Sequence, residues 1–68
     1  MEFKLRTEFI ELDNMLKALG LVASGAEARQ SIQAGSVKVN GQAEIRIRRK
    51  LRLGDSVEFG EHLITIVK

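Results

Sequence analysis

Residues 44–53 read EIRIRRKLRL, with five cations in ten positions. Arg46, Arg48, Lys50 and Arg52 fall on every second residue, with apolar residues and Arg49 between them. Rows of guanidinium and ammonium groups are suited to neutralising phosphates. Arg does so through a planar two-pronged hydrogen bond, Lys as a point charge. In a strand, alternate side chains point to opposite faces. The spacing therefore predicts a strand over 42–48, with Arg46 and Arg48 on one face and Ile45 and Ile47 on the other. Lys50 and Arg52 continue the charged face if the chain stays extended through Arg49. A run of single-sign charge costs self-repulsion, which a polyanion relieves. The competing role is protection of a sheet edge against aggregation, for which two charges or mixed signs suffice.

Other chemistry has little material. Cysteine is absent, and the only histidine, His62, follows Glu61 in an expected turn. A lone Glu-His pair is ordinary solvated surface rather than a catalytic dyad. One histidine and scattered carboxylates offer no metal-ligand spacing. No catalytic residue, metal site or cofactor is expected. No apolar run reaches the roughly 18 residues of a membrane span, and the N-terminus is charged throughout, unlike a signal peptide. A cytoplasmic protein without a membrane partner is expected.

The net charge of +2 is unevenly distributed. Residues 1–13 and 53–68 each carry a net −2, and residues 14–52 carry +6. Segregated positive charge is the electrostatic footprint of a polyanion binder. Arg6 and Lys68 lie outside this basic middle and are expected to contribute little to binding. A chain of 68 residues makes one domain, near the lower limit for a self-sufficient core.

The elements that position the cations follow from periodicity. Residues 3–10 suit a short strand or extended arm. Leu12, Met15, Leu16 and Leu19 are spaced as one face of a helix over 11–19. Ser24-Gly25-Ala26-Glu27 fits a capping box at the start of a second helix over 24–34, with Ala28 and Ile32 as its apolar stripe. Val37 and Val39 then alternate with polar residues. Asn40-Gly41 signals a type I′ hairpin turn, because both central residues need positive φ. Gly54-Asp55 marks another turn, and 56–59 and 63–67 read as strands. The expected fold is α+β, a two-helix hairpin packed on a small bent antiparallel sheet, and the expected state is a monomer. Near the stripe, Lys38 precedes the hairpin turn and Arg29 lies about a turn into the second helix. That helix begins at Ser24 and Gly25 with free amides and a partial positive charge.

Leu12, Leu16-Lys17, Gly20-Leu21-Val22-Ala23-Ser24-Gly25-Ala26-Glu27-Ala28-Arg29, Ile32, Gly35-Ser36-Val37-Lys38-Val39-Asn40-Gly41, Lys50-Leu51 and Gly54-Asp55-Ser56-Val57 form a spaced string. It resembles the RNA-binding domain first seen in the fourth protein of the small ribosomal subunit, also called the αL motif. The same unit occurs in pseudouridine synthases, ribosomal RNA methylases, a bacterial tyrosyl-tRNA synthetase and a ribosome-associated heat-shock protein. The resemblance covers about residues 10–60. Many members carry Arg directly after the Ser, where this chain has Gly25. The Ser-Gly variant with a basic segment at 46–50 is similar to stand-alone bacterial members. The resemblance implies an RNA surface on the second helix's N-terminal part and the following hairpin. It adds Lys17 to Ser24, Gly25, Arg29, Lys38, Arg46, Arg48 and Lys50 as expected RNA-binding residues. It also implies ribosomal or transfer RNA, and the ribosome or a ribosomal subunit, as partners.

Sequence-tolerant single-strand binders stack bases on aromatics. Here Tyr and Trp are absent, and Phe3, Phe9 and Phe59 lie outside the basic middle. Recognition of structured RNA by shape and phosphate contacts is therefore expected. The alternative is a protein-interaction module whose basic face grips an acidic partner.

Overall fold

The apolar spacings become helices where they predict them. In the structure, a computed structural model describing all residues 1–68, α1 spans Leu12–Ala18 and α2 spans Gly25–Gln33. Leu12, Met15 and Leu16 form the buried stripe of α1, and Ala28 and Ile32 that of α2. Ser24 caps α2, its Oγ accepting from the Glu27 amide at 3.2 Å. This is the Ser half of the expected capping box.

Seven short strands complete the chain: β1 (Glu2–Lys4), β2 (Ile10–Glu11), β3 (Val37–Val39), β4 (Gln42–Ala43), β5 (Lys50–Leu51), β6 (Ser56–Phe59) and β7 (His62–Val67). The main sheet runs β1-β7-β6-β3-β4, and β2 and β5 form a separate antiparallel pair. β7, β6, β3 and β4 are antiparallel, as expected. β1 adds to the edge in parallel with β7. A parallel pair needs a long connection, and here nearly the whole domain lies between the two strands. Val37, Val39, Val57, Ile64 and Ile66 turn inward onto the helical stripes and Leu51. Lys38, Glu58 and Leu63 stand at the intervening positions and are exposed on the outer face.

The Asn40-Gly41 turn has positive φ at both residues, 52° and 84°. Asn40 also acts beyond its turn. Its Nδ2 donates to Asp55 Oδ1 at 3.1 Å, and its Oδ1 accepts from the Ser56 amide at 3.0 Å. Asp55 Oδ2 accepts from the Arg52 amide at 2.8 Å. Two motifs far apart in sequence thus lock the β3–β4 turn to the segment that follows β5.

The expected strand over 42–48 is corrected. Only Gln42 and Ala43 pair, and residues 44–49 form a loop. β3 is three residues long, and its first carbonyl, on Val37, already accepts from the Glu44 amide. No ladder partner remains beyond that point. Ile45, expected to face inward, is 65% exposed, whereas Ile47 packs against the core. Arg46, Arg48 and Arg49 lie past the two-residue edge strand β4, whereas Lys50 lies in β5, which pairs with β2 alone.

Candidate nucleic-acid interface

The basic loop is held from both sides by the backbone. The α1 amides of Leu12 and Asp13 donate to the carbonyls of Arg49 (2.9 Å) and Ile47 (3.1 Å). The first amides of a helix lack intrahelical partners, and the Glu11 side chain does not cap α1. The loop carbonyls take that role. Directly after the loop, β5 pairs with β2, with Glu11 opposite Lys50 and Ile10 opposite Leu51. The cations are thus mounted on the start of α1.

Glu44 organises the loop from within, and it is the one buried charged side chain in the protein. Its Oε1 accepts from Arg46 Nη2 at 2.9 Å and Arg49 Nη1 at 2.6 Å. Its Oε2 accepts from Arg46 Nε and from the Arg46 backbone amide, both at 3.0 Å. The hydrogen bonds from Arg46 hold the carboxyl down at about 2, against an ordinary value of 4.5, although desolvation opposes them. The same pair raises the pKa of the Arg46 guanidinium. Arg46 remains 70% exposed while bound in this way. It is therefore an oriented cation that still faces solvent.

Arg46, Arg48, Arg49 and Lys50 line one open depression of about 470 Å³ that contains no apolar residue. Arg48 and Lys50 have no carboxylate partner within ion-pair distance. Lys50 Nζ sits 4.9 Å from the Phe9 ring centre, and the Arg52 guanidinium carbon lies 5.6 Å from the same centre. Phe9, outside the basic middle in sequence, is thus inside the basic surface, with its ring engaged by two cations.

The structure gathers three of the expected residues, Arg46, Arg48 and Lys50, and adds Arg49 to them. Ser24 and Gly25 occupy the N-terminus of α2, and Arg29 is exposed along that helix. Lys17 is exposed in the last turn of α1. Lys38 is on the sheet's outer face, with Glu58 opposite it on β6 and the helices behind the sheet. No side-chain hydrogen bond or ion pair joins Lys17, Arg29 or Lys38 to the loop. Glu44 and Phe9 are the members that sequence reasoning missed. The available signal for Glu44 was its place as the lone anion opening a five-cation run.

Known proteins share both the sequence and the fold. A family model described as the S4 domain matches residues 3–67. The Escherichia coli protein YbcJ is 41% identical over 58 residues, covering 85% of this chain and 83% of YbcJ. The small ribosomal subunit protein uS4 of Acidithiobacillus ferrooxidans is 37% identical over 67 residues, covering 98% of this chain but 32% of uS4. The solution structure of E. coli YbcJ, described as revealing an αL motif involved in RNA binding, superposes with a TM-score of 0.74 at 38% identity. That match covers 98% of this chain and 86% of the YbcJ structure. With the helical hairpin, the sheet and the Asn40–Asp55 lock in place, the chain belongs to the S4 domain family and has the αL fold.

Proposed function

We propose that residues 1–68 form a single, monomeric, non-catalytic RNA-binding domain that grips structured RNA by its phosphates. The observation that carries this reading is the depression lined by four cations, two of them aimed by one buried carboxylate. Pre-set guanidiniums lose less freedom on binding than free ones, and Arg forks match phosphate oxygens. The N-terminus of α2, with Ser24 and Gly25, supplies backbone amides, and Arg29 and Lys17 supply flanking charge. Lys38 is the outlying member, reaching RNA only if the ligand wraps the sheet edge. The domain's likeness to uS4 supports ribosomal RNA and a ribosomal subunit as the partner, with transfer RNA as the other folded candidate.

A phosphate-led interface binds with a steep salt dependence. Each phosphate neutralised contributes about −0.7 to −0.9 to the log–log slope. With four to six cations engaged, binding to bulk ribosomal RNA should fall with a slope of roughly −3 to −5. Titrations across a range of salt concentrations check this, and a flat response contradicts the reading.

A further inference from the structure

A second depression, of about 430 Å³, opens beside the basic loop. Its walls come from three distant parts of the sequence: Leu5, Arg6 and Glu8 after β1, Arg52 and Leu53 after β5, and Lys68 after β7. The parallel pairing of β1 with β7 and the antiparallel pairing of β2 with β5 bring them together. Arg6, Arg52 and Lys68 form no ion pair, and Glu8, though in the same wall, is not within ion-pair distance of them. Leu53 is 60% exposed at the rim.

The two depressions share a neighbour, the Phe9 ring, which lines neither. Lys50, which lines the first depression, and Arg52, which lines the second, both lie over the Phe9 ring. We propose that the Arg6–Arg52–Lys68 depression is a second phosphate-binding site, which takes the backbone of another segment of the same RNA held by the loop. The inference deepens the RNA-binding reading and rests on it. Three unpaired cations in one depression, linked to the loop cations through the Phe9 ring, favour a polyanion over an acidic peptide. The domain measures 28 × 23 × 20 Å, so one folded RNA can cover both depressions. This reading gives Arg6 and Lys68 a part in binding that their place outside the basic middle of the sequence does not suggest.

The test uses bulk ribosomal RNA and bulk transfer RNA as probes, with salt titrations. The variants are Arg6→Gln/Arg52→Gln/Lys68→Gln and, because Arg52 also touches Phe9, the double Arg6→Gln/Lys68→Gln. Circular dichroism checks that each folds. For the triple, affinity should fall about tenfold to a hundredfold at about 0.15 M salt, and the salt slope should flatten by about two units or slightly more. The double should show roughly the proportionate share. Combined with Arg48→Gln/Lys50→Gln, the double Arg6→Gln/Lys68→Gln, which leaves the shared Phe9 contacts of Arg52 in place, should give losses that multiply to within about twofold, as for independent contacts. Wild-type affinity and slope in the folded triple, with weakened binding by the loop double, would overturn the second site and leave the first standing. Unchanged binding by both sets would overturn the RNA reading itself. Saturation of the second depression by inorganic phosphate alone, with RNA affinity unaffected, would also overturn the proposal.

Discussion

Replacing Arg46, Arg48 and Lys50 together with Gln is expected to weaken binding to bulk ribosomal or transfer RNA about a hundredfold at about 0.15 M salt. The magnitude follows from counterion release. Each lost phosphate contact removes about 0.7 to 0.9 from the log–log slope, worth on the order of fivefold in affinity at that salt concentration. The slope should flatten by about two to three units. The three cations differ in one respect that affects interpretation. Arg46 holds Glu44, so its loss also loosens the loop, whereas Arg48 has no such partner and Lys50 contacts only Phe9 through its charge. The double Arg48→Gln/Lys50→Gln keeps the Glu44 clamp and should lose about twenty-five-fold. A triple variant that is folded and binds with unchanged affinity and slope would show that these cations do not contact RNA. A loss in the triple but none in the double would assign the effect to loop geometry alone.

Glu44→Gln sets two effects against each other. It removes the only anion in the loop, and simple charge counting then expects tighter RNA binding. It also removes the acceptor that fixes two guanidiniums and one backbone amide. Charge-assisted bonds to a buried carboxylate are stronger than neutral ones. The substitution should cost about 2 kcal/mol of stability, lowering Tm by on the order of 10 °C for a domain of this size. Freeing two Arg side chains adds about 0.5 to 1.5 kcal/mol each of ordering cost on binding. RNA affinity should therefore fall about threefold to tenfold despite the gain in net charge. The pH dependence carries the same signature. The Glu44 carboxyl titrates near 2 in the folded protein and near 4.5 when its partners are lost. Between those values the unfolded chain binds the extra proton, so stability rises with pH across this window. The contribution is complete above about 4.5 and is lost as pH falls through about 2. The stability gap between wild type and Glu44→Gln should narrow in that range. A constant gap down to pH 2, or tighter RNA binding by the variant, contradicts the positioning role.

The parts of the fold that were legible in the sequence are those governed by local physics. Leu12, Met15 and Leu16 declare a helix by spacing, Ser24 by its cap, and Asn40-Gly41 by backbone conformations few other pairs accept. The loop was not legible, because period-two alternation over Glu44–Arg48 is the same whether or not a partner strand exists. What ended the strand was the length of β3, three residues, and the inward turn of Glu44. Neither is a property of the 44–53 stretch by itself. Phe9, Arg6 and Lys68 could not be placed from their own neighbourhoods. They reach the basic surface through the β1–β7 and β2–β5 pairings, which are contacts between distant segments. Summed charge per segment marked residues 14–52 as basic, but it gave no sign that Arg6 and Lys68, from the two acidic ends, line one depression with Arg52.

Amide chemical-shift and line-broadening changes in the labelled protein, as bulk ribosomal RNA or transfer RNA is added at low salt, map the RNA-contacting surface residue by residue. Signals over residues 44–53 and at Ser24–Glu27 should change first. Those of the outer sheet face, around Glu58, Leu63 and Thr65, should remain as in the free protein. Changes centred on that outer face, or a loop unaffected at RNA concentrations that saturate binding, would contradict RNA binding through the basic loop.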